Sequence, residues 1–167
     1  RVSGLGWGSG DHPVLTENKY NNPFWNESAL MQTNRGHIMR CNVFWLCGAS
    51  GERATWFGNK GTLAMPIDGI SNETRHIRRT ESHPIADTIE VPRYWETSKM
   101  LPETMRRDSG HGGSAIFISA EFINGLLEDR EPDIGLYDAL AMTVPGIVAH
   151  QSAHRDGEQL PVPLFDP

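Results

Sequence analysis

The sequence predicts an α+β fold: an antiparallel-dominated open sheet with two C-terminal helices packed on one face. Three observations carry this. The last third holds two stretches with apolar residues at helical spacing. Upstream lie short apolar runs, Ala29 to Thr33, Ile38 to Leu46, Ala54 to Phe57 and Thr62 to Met65, each of strand length. Between them stand tight turn signals rather than helices, and consecutive hairpins build a meander.

In chain order, Val2 to Leu5 reads as the end of a strand. Gly8 to Asn22 is polar and turn-rich and reads as a long exposed loop. Asn34-Arg35-Gly36 and Asn59-Lys60-Gly61 join the next strands as hairpin turns, the glycine supplying a positive φ. Ser71 to Arg107 is polar, with room for one or two edge strands. The first helix starts at Ser114 or the glycines before it. Ile116, Ala120, Ile123 and Leu127 form its inward row, widened by Phe122 and Leu126, and Glu131-Pro132-Asp133 ends it. The second helix is expected to bury Leu136, Leu140, Val144 and Ile147, to kink or break at Pro145, and to stop at Gly157.

At 167 residues the chain is expected to be one domain. A net charge of −6 and a pI near 5.6 argue against nucleic acid and acidic membrane surfaces as partners. No run approaches the ~18 apolar residues of a membrane helix, and no secretory signal is visible. Cys41 and Cys47, six residues apart, would lie about 20 Å from each other along one strand, too far to pair. Free thiols suit a reducing compartment, so the cytoplasm is favoured over a periplasm reached by an upstream export signal.

Several groups carry chemistry in more than one reading. Gly4, Gly6, Gly8 and Gly10 form G-x-G-x-G-x-G, which lacks the spacing and the following helix of a dinucleotide turn. His111, between Gly110 and Gly112-Gly113, opens a helix whose free N–H groups suit a hydroxyl or a developing oxyanion. The same histidine can serve as a plain capping turn. Asp11, His12, Tyr20, Asn22, Phe24, Trp25 and Asn26 mix rings with amides and carboxylates, as sugar recognition requires. Equally, Phe24 and Trp25 can anchor a surface loop. His37 and Arg40 share one strand, where a cross-strand partner is the default, and Glu52-Arg53 reads as a structural ion pair. His150 and His154 have the spacing of two metal ligands on one helix face. No glutamate follows the first of them and no third ligand is near in sequence, so exposed helix surface is preferred and no metal is assigned. No carboxylate pair suited to direct glycoside hydrolysis stands out, and no nucleophile elbow is present.

Two blocks carry a resemblance. Gly110 to Pro167 has a histidine-glycine-glycine turn, a long helix, a charged turn with a proline, a second helix, and a tail with Ser152-Ala153, Asp156-Gly157 and Pro163-Leu164-Phe165. Gly36 to Pro66 has an apolar strand and then Gly58, Lys60, Gly61, Thr62 and Leu63. Their order and spacing resemble the C-terminal substrate and oligomerisation domain of the glucose–fructose oxidoreductase and inositol dehydrogenase (Gfo/Idh/MocA) family, over most of the chain except roughly Asp68 to Arg107. Within it, the branch with NAD-dependent N-acetylgalactosaminidases and many bacterial proteins is the most similar.

The resemblance implies the substrate domain of an NAD(P)-dependent oxidoreductase or NAD-dependent glycosidase acting on a sugar or polyol. The alternative is a catalytically silent carbohydrate-binding or assembly module of the same fold. It implies a Rossmann domain upstream of Arg1 holding NAD or NADP and most catalytic residues. The chain alone is then expected to bind no dinucleotide and to be inactive. Candidate substrate-binding residues are His111, His12, Tyr20, Trp25, Asn26 and Arg40. A second copy is the expected partner of the uncovered sheet face, where Ile38, Val43, Trp45, Leu46, Trp56 and Phe57 supply apolar surface.

Overall fold

The computed structural model describes residues 1–8, 12–45, 47–48, 51–66, 73–79, 84–89, 94–107 and 111–165. The chain divides into two compact units, Arg1–Ser50 with Asp133–Pro167, and Gly51–Pro132. The α+β class holds. The single open sheet expected from the hairpins is instead two antiparallel sheets, three-stranded and four-stranded, one in each unit.

The first unit is built on β1 (Val2–Trp7), β2 (Asn26–Gln32) and β3 (Ile38–Phe44), paired in that order. The β2–β3 turn needs a left-handed residue, and Gly36 supplies it with φ 84°. A four-residue helix, α1 (Pro13–Thr16), interrupts the loop between β1 and β2. Asn18 wires that loop, its amide donating to the carbonyls of Leu15 (2.8 Å) and Asn22 (3.0 Å) and its Oδ1 accepting from the Asn22 N–H (2.7 Å).

Across this sheet lies the C-terminal helix, α4 (Leu136–Ala153). Strand alternation turns Val2, Gly4 and Gly6 toward it, with Ala29 of β2 alongside. A Cβ on Gly4 would stand 2.6 Å from the Ala149 carbonyl oxygen, and one on Gly6 would enter the Phe24 ring. The alternating glycines are thus contact points where helix and loop lie directly on strand backbone. This close approach fixes which helix face is inside. Val148, Ala149, Ser152 and Ala153 are buried, with Val144 half-buried. The expected row is corrected: Leu136 and Ile147 are exposed and Leu140 is half-buried, and the helix meets Gly4 through Ala149.

The helix runs unbroken through Pro145. Proline removes one N–H bond, and the packed turns on its C-terminal side hold the helix together. Ser152, fully buried, accepts from the Gly4 N–H (2.9 Å) and donates to the Glu158 carbonyl (2.5 Å), joining helix, strand and tail. The helix ends at Ala153, four residues before the expected stop. Gly157, with φ 85°, lies in the following turn and donates its N–H to the Ser152 carbonyl (3.0 Å), and Leu160 then pairs with Val2 through both N–H···O bonds (2.8 and 2.9 Å).

The second unit contains β4 (Thr55–Phe57), β5 (Thr62–Ala64), β6 (Thr74–Arg79) and β7 (Pro84–Ile89), an antiparallel meander. The last two are the strands allowed for in the polar segment; β7 lies at the sheet edge, while β6 is paired on both sides. Gly61 has no positive φ; its need is space, since a Cβ there would lie 2.6 Å from Nε2 of His76. Of the helices, α2 (Tyr94–Thr97) is one turn and α3 (Ser114–Glu128) is long. α3 begins after Gly113 (φ 84°) and ends at Asp129 (φ 50°). Arg130 clamps its end with a two-pronged contact to Glu121 (2.6 and 3.1 Å) and one to Glu128 (2.6 Å). Glu121 first, then Glu128, pushes this guanidinium further above its ordinary pKa.

Of the row expected inside α3, Ala120 is buried and Ile116 half-buried, while Phe122, Ile123, Leu126 and Leu127 are exposed. Spacing marks an apolar stripe but does not say what covers it. Within its unit α3 meets α2 and the 3-10 turn His111–Gly113.

Among the face residues, Val43 points to the α4 side of the sheet, while Leu5, Leu30, Ile38 and Phe44 are exposed on the other. Leu46 lies outside the described residues. No helix among the described residues is long and apolar enough to cross a membrane.

Candidate functional site

The sequence-predicted residues His12, Trp25 and Asn26 come together at one end of the first sheet. Trp25 precedes β2 and extends its ladder, its N–H donating to the Trp7 carbonyl (3.1 Å) and its carbonyl accepting from the Trp45 N–H (3.2 Å). The Trp7 and Trp25 rings meet at 5.4 Å between centroids, tilted 41°. His12 stands edge-on to Trp25 at 5.3 Å. Inside this aromatic edge, Trp25 Nε1 and Asn26 Oδ1 are buried with no hydrogen-bond partner among the described residues. One is a donor and the other an acceptor, and leaving both unpaired costs about 1–3 kcal/mol each.

On the opposite face of the same strand end is a second group. Glu27, one residue after Asn26, points to the α4 side. Its Oε1 lies 2.5 Å from Nδ1 of His150, and Nε2 of His150 lies 3.1 Å from Nε2 of His154. Phe24 packs against both imidazoles, at 6.0 Å and 5.1 Å. Its loop position is set by Asn22, whose Oδ1 accepts the Phe24 N–H (2.9 Å). Phe24 is therefore an anchor, as one reading of the loop held, while Trp25 is half-buried beside Trp7.

Of the other candidates, Tyr20 and Arg40 belong to the same unit and His111 to the second. Tyr20 is 79% exposed, with the Lys19 ammonium 5.2 Å from its ring centroid. Arg40 sits on β3 opposite Leu30 and is exposed. His111 belongs to the second unit. It adopts φ 47° at the start of the turn before α3, and its Nδ1 is 3.8 Å from Glu52, both side chains largely exposed. So Glu52 faces His111 across a loose ion pair. Asp11, Gly10 and Gly110 lie outside the described residues.

Sequence reasoning missed Trp7 and Glu27. Trp7 was findable, because it ends a strand that alternates glycine with larger residues. Glu27 was not: its histidine partner is 123 residues away.

The described glycines do not suit a dinucleotide. Gly4 and Gly6 lie within a paired strand, and Gly8 meets the Pro23 carbonyl and Leu15 instead of opening a phosphate cradle.

A protein-family comparison matches residues 53–166 to the glycosyl hydrolase 109 C-terminal domain. The match covers more than half of the chain. This chain belongs to that family. It is an enzyme family of the Gfo/Idh/MocA type and is NAD-dependent in general. The resemblance seen in the two sequence blocks is therefore upheld. A search of curated proteins gives no match.

Proposed function

We propose that this chain is the substrate-side domain of an NAD-dependent glycosidase or sugar oxidoreductase, partnered by a dinucleotide-binding Rossmann domain. The sugar ring is received at the Trp7–Trp25–His12 edge. The observation that carries this is the presence of two buried, unpaired polar atoms, Trp25 Nε1 and Asn26 Oδ1, at the Trp7–Trp25–His12 aromatic cluster. A sugar has apolar C–H faces that lie against rings, and hydroxyl or acetamido groups that both donate and accept. Family membership supports the same reading, and the glycosyl hydrolase name favours a glycoside substrate over a free polyol.

Gly4 and Gly6 lie within a paired strand and Gly8 opens no phosphate cradle, which supports placing the hydride chemistry in the partner domain. The domain's own part is to bind and orient.

The test is a titration of N-acetylgalactosamine into the chain, followed by tryptophan fluorescence and by NMR saturation transfer. A single sugar ring on an open edge should bind with a Kd of about 1–10 mM. Trp25→Ala should remove the saturable signal, while the chain keeps its far-ultraviolet circular dichroism. No saturation up to about 100 mM, or an unchanged Kd in Trp25→Ala, would refute the assignment.

A further inference from the structure

We propose that His150 and His154 form an open site for a divalent transition cation such as Zn2+, with Glu27 as the orienting outer carboxylate. This site is independent of the sugar edge, and three features of the same corner support it.

The first is convergence. The two Nε2 atoms are 3.1 Å apart, on rings crossed at 88° with centroids 4.6 Å apart. Two imidazoles bound to one cation at about 2.0–2.1 Å place their nitrogens about 2.9 Å apart at a right angle and about 3.3 Å apart at a tetrahedral angle. The observed separation falls inside that range. The i, i+4 spacing on α4 brings both rings to one side of the helix.

The second is the state of the nitrogens. An ionised carboxylate only accepts, so the Glu27 contact puts the proton of a neutral His150 on Nδ1 and leaves Nε2 with its lone pair. A carboxylate behind a ligating histidine fixes tautomer and ring orientation and raises ligand basicity. In the cation-free pair His154 Nε2–H donates to that lone pair. Binding moves the His154 proton to its own Nδ1 or to solvent, so no further reactant is needed.

The third is access and surroundings. His154 is exposed and His150 half-buried, so a hydrated ion can reach the pair, and the Phe24 ring lines one side. Among the described residues no third His, Cys, Asp or Glu joins the group as a ligand. The remaining positions fall to water, which makes this an open two-histidine site. Its position where α4 meets β2 lets a bound cation brace the last turns of the helix. Imidazole donors select Zn2+, Cu2+ and Ni2+ over Mg2+ and Ca2+.

The experiment is calorimetric titration of Zn2+ into the chain at neutral pH, in a background where both exposed thiols are removed (C41S, C47S). One ion per chain with a Kd of about 100 μM or tighter is expected, with no binding of Mg2+. His154→Ala, at an exposed position, should weaken binding at least ten-fold. Glu27→Gln should weaken it by about 10- to 100-fold, the usual effect of losing an outer-shell carboxylate. Affinity should fall as pH is lowered, because both rings must be neutral to ligate. A weaker Kd, or one that His154→Ala leaves unchanged, overturns the site. A Glu27→Gln protein that folds and binds as tightly as its parent overturns the orienting role.

Discussion

α4 buries Val148, Ala149, Ser152 and Ala153 against β1, whereas α3, similar in length and in apolar content, leaves Phe122, Ile123, Leu126 and Leu127 exposed. The difference does not lie in helical periodicity, which is weaker in α4 than in α3. It lies in what the opposing segment offers. Opposite α4 stands a strand with glycine at alternate positions, so helix backbone and strand backbone come close and small residues win the interior. α3 turns its own small residues, Ala120 and Gly125, inward; a Cβ on Gly125 would stand 3.2 Å from the Arg130 carbonyl oxygen of the turn that follows. In both helices burial follows size complementarity rather than hydrophobicity.

The sharpest way to break this comparison is Gly4→Val. The added side chain meets the Ala149 carbonyl, a backbone atom that no rotamer change can move aside. α4 must lift from the sheet, and overpacking of this kind costs about 2–3 kcal/mol. Urea unfolding monitored by tryptophan fluorescence should show it. A loss below about 0.5 kcal/mol would mean that the helix is not held at backbone distance from β1.

A second test asks what the segment before α3 is for. His111 holds a left-handed φ of 47°, a conformation that costs a non-glycine residue about 1–3 kcal/mol. Placing the imidazole and the free helix N–H groups together is our proposed reason for it. In the two-domain enzyme proposed above, His111→Ala should lower kcat/KM by about ten-fold or more, a cautious figure for a lost donor or proton-transfer group. The unfolding midpoint should barely move, because the ring is 79% exposed. Unchanged kinetics with a destabilised α3 would assign the residue to capping alone.

What could be read in advance follows the same division between local and distant causes. The strands from Val2 to Ala64 and the Gly36 turn were legible, because alternation and turn chemistry act over a few residues. The buried face of α4 was not, since Ser152 and Gly4 meet across 148 positions and the partner decides which residues fit. The loop proposed to receive a sugar stood out by its composition, yet its ring pair needed Trp7 from the preceding strand. The histidine pair was seen as a spacing. Only the register of β2 placed Glu27 on the same side as the helix.

The smallest expected effect completes the contrast. Leu126→Gln and Leu127→Gln together replace two large apolar side chains that are 69% and 79% exposed. Hydrophobic stabilisation scales with area removed from water, and these side chains lose little of it here. The double substitution should therefore change the stability of this chain by no more than about 0.5 kcal/mol, the range of ordinary surface changes. Glutamine and leucine also have nearly equal helix propensity, so α3 itself should persist. The measurement is the urea midpoint of the double variant beside Gly4→Val, which touches one glycine and should do several times more harm. A loss above about 1 kcal/mol would show that the α3 stripe is covered in solution. Hydrophobic spacing, rather than fit against small residues, would then be what decides burial in both helices.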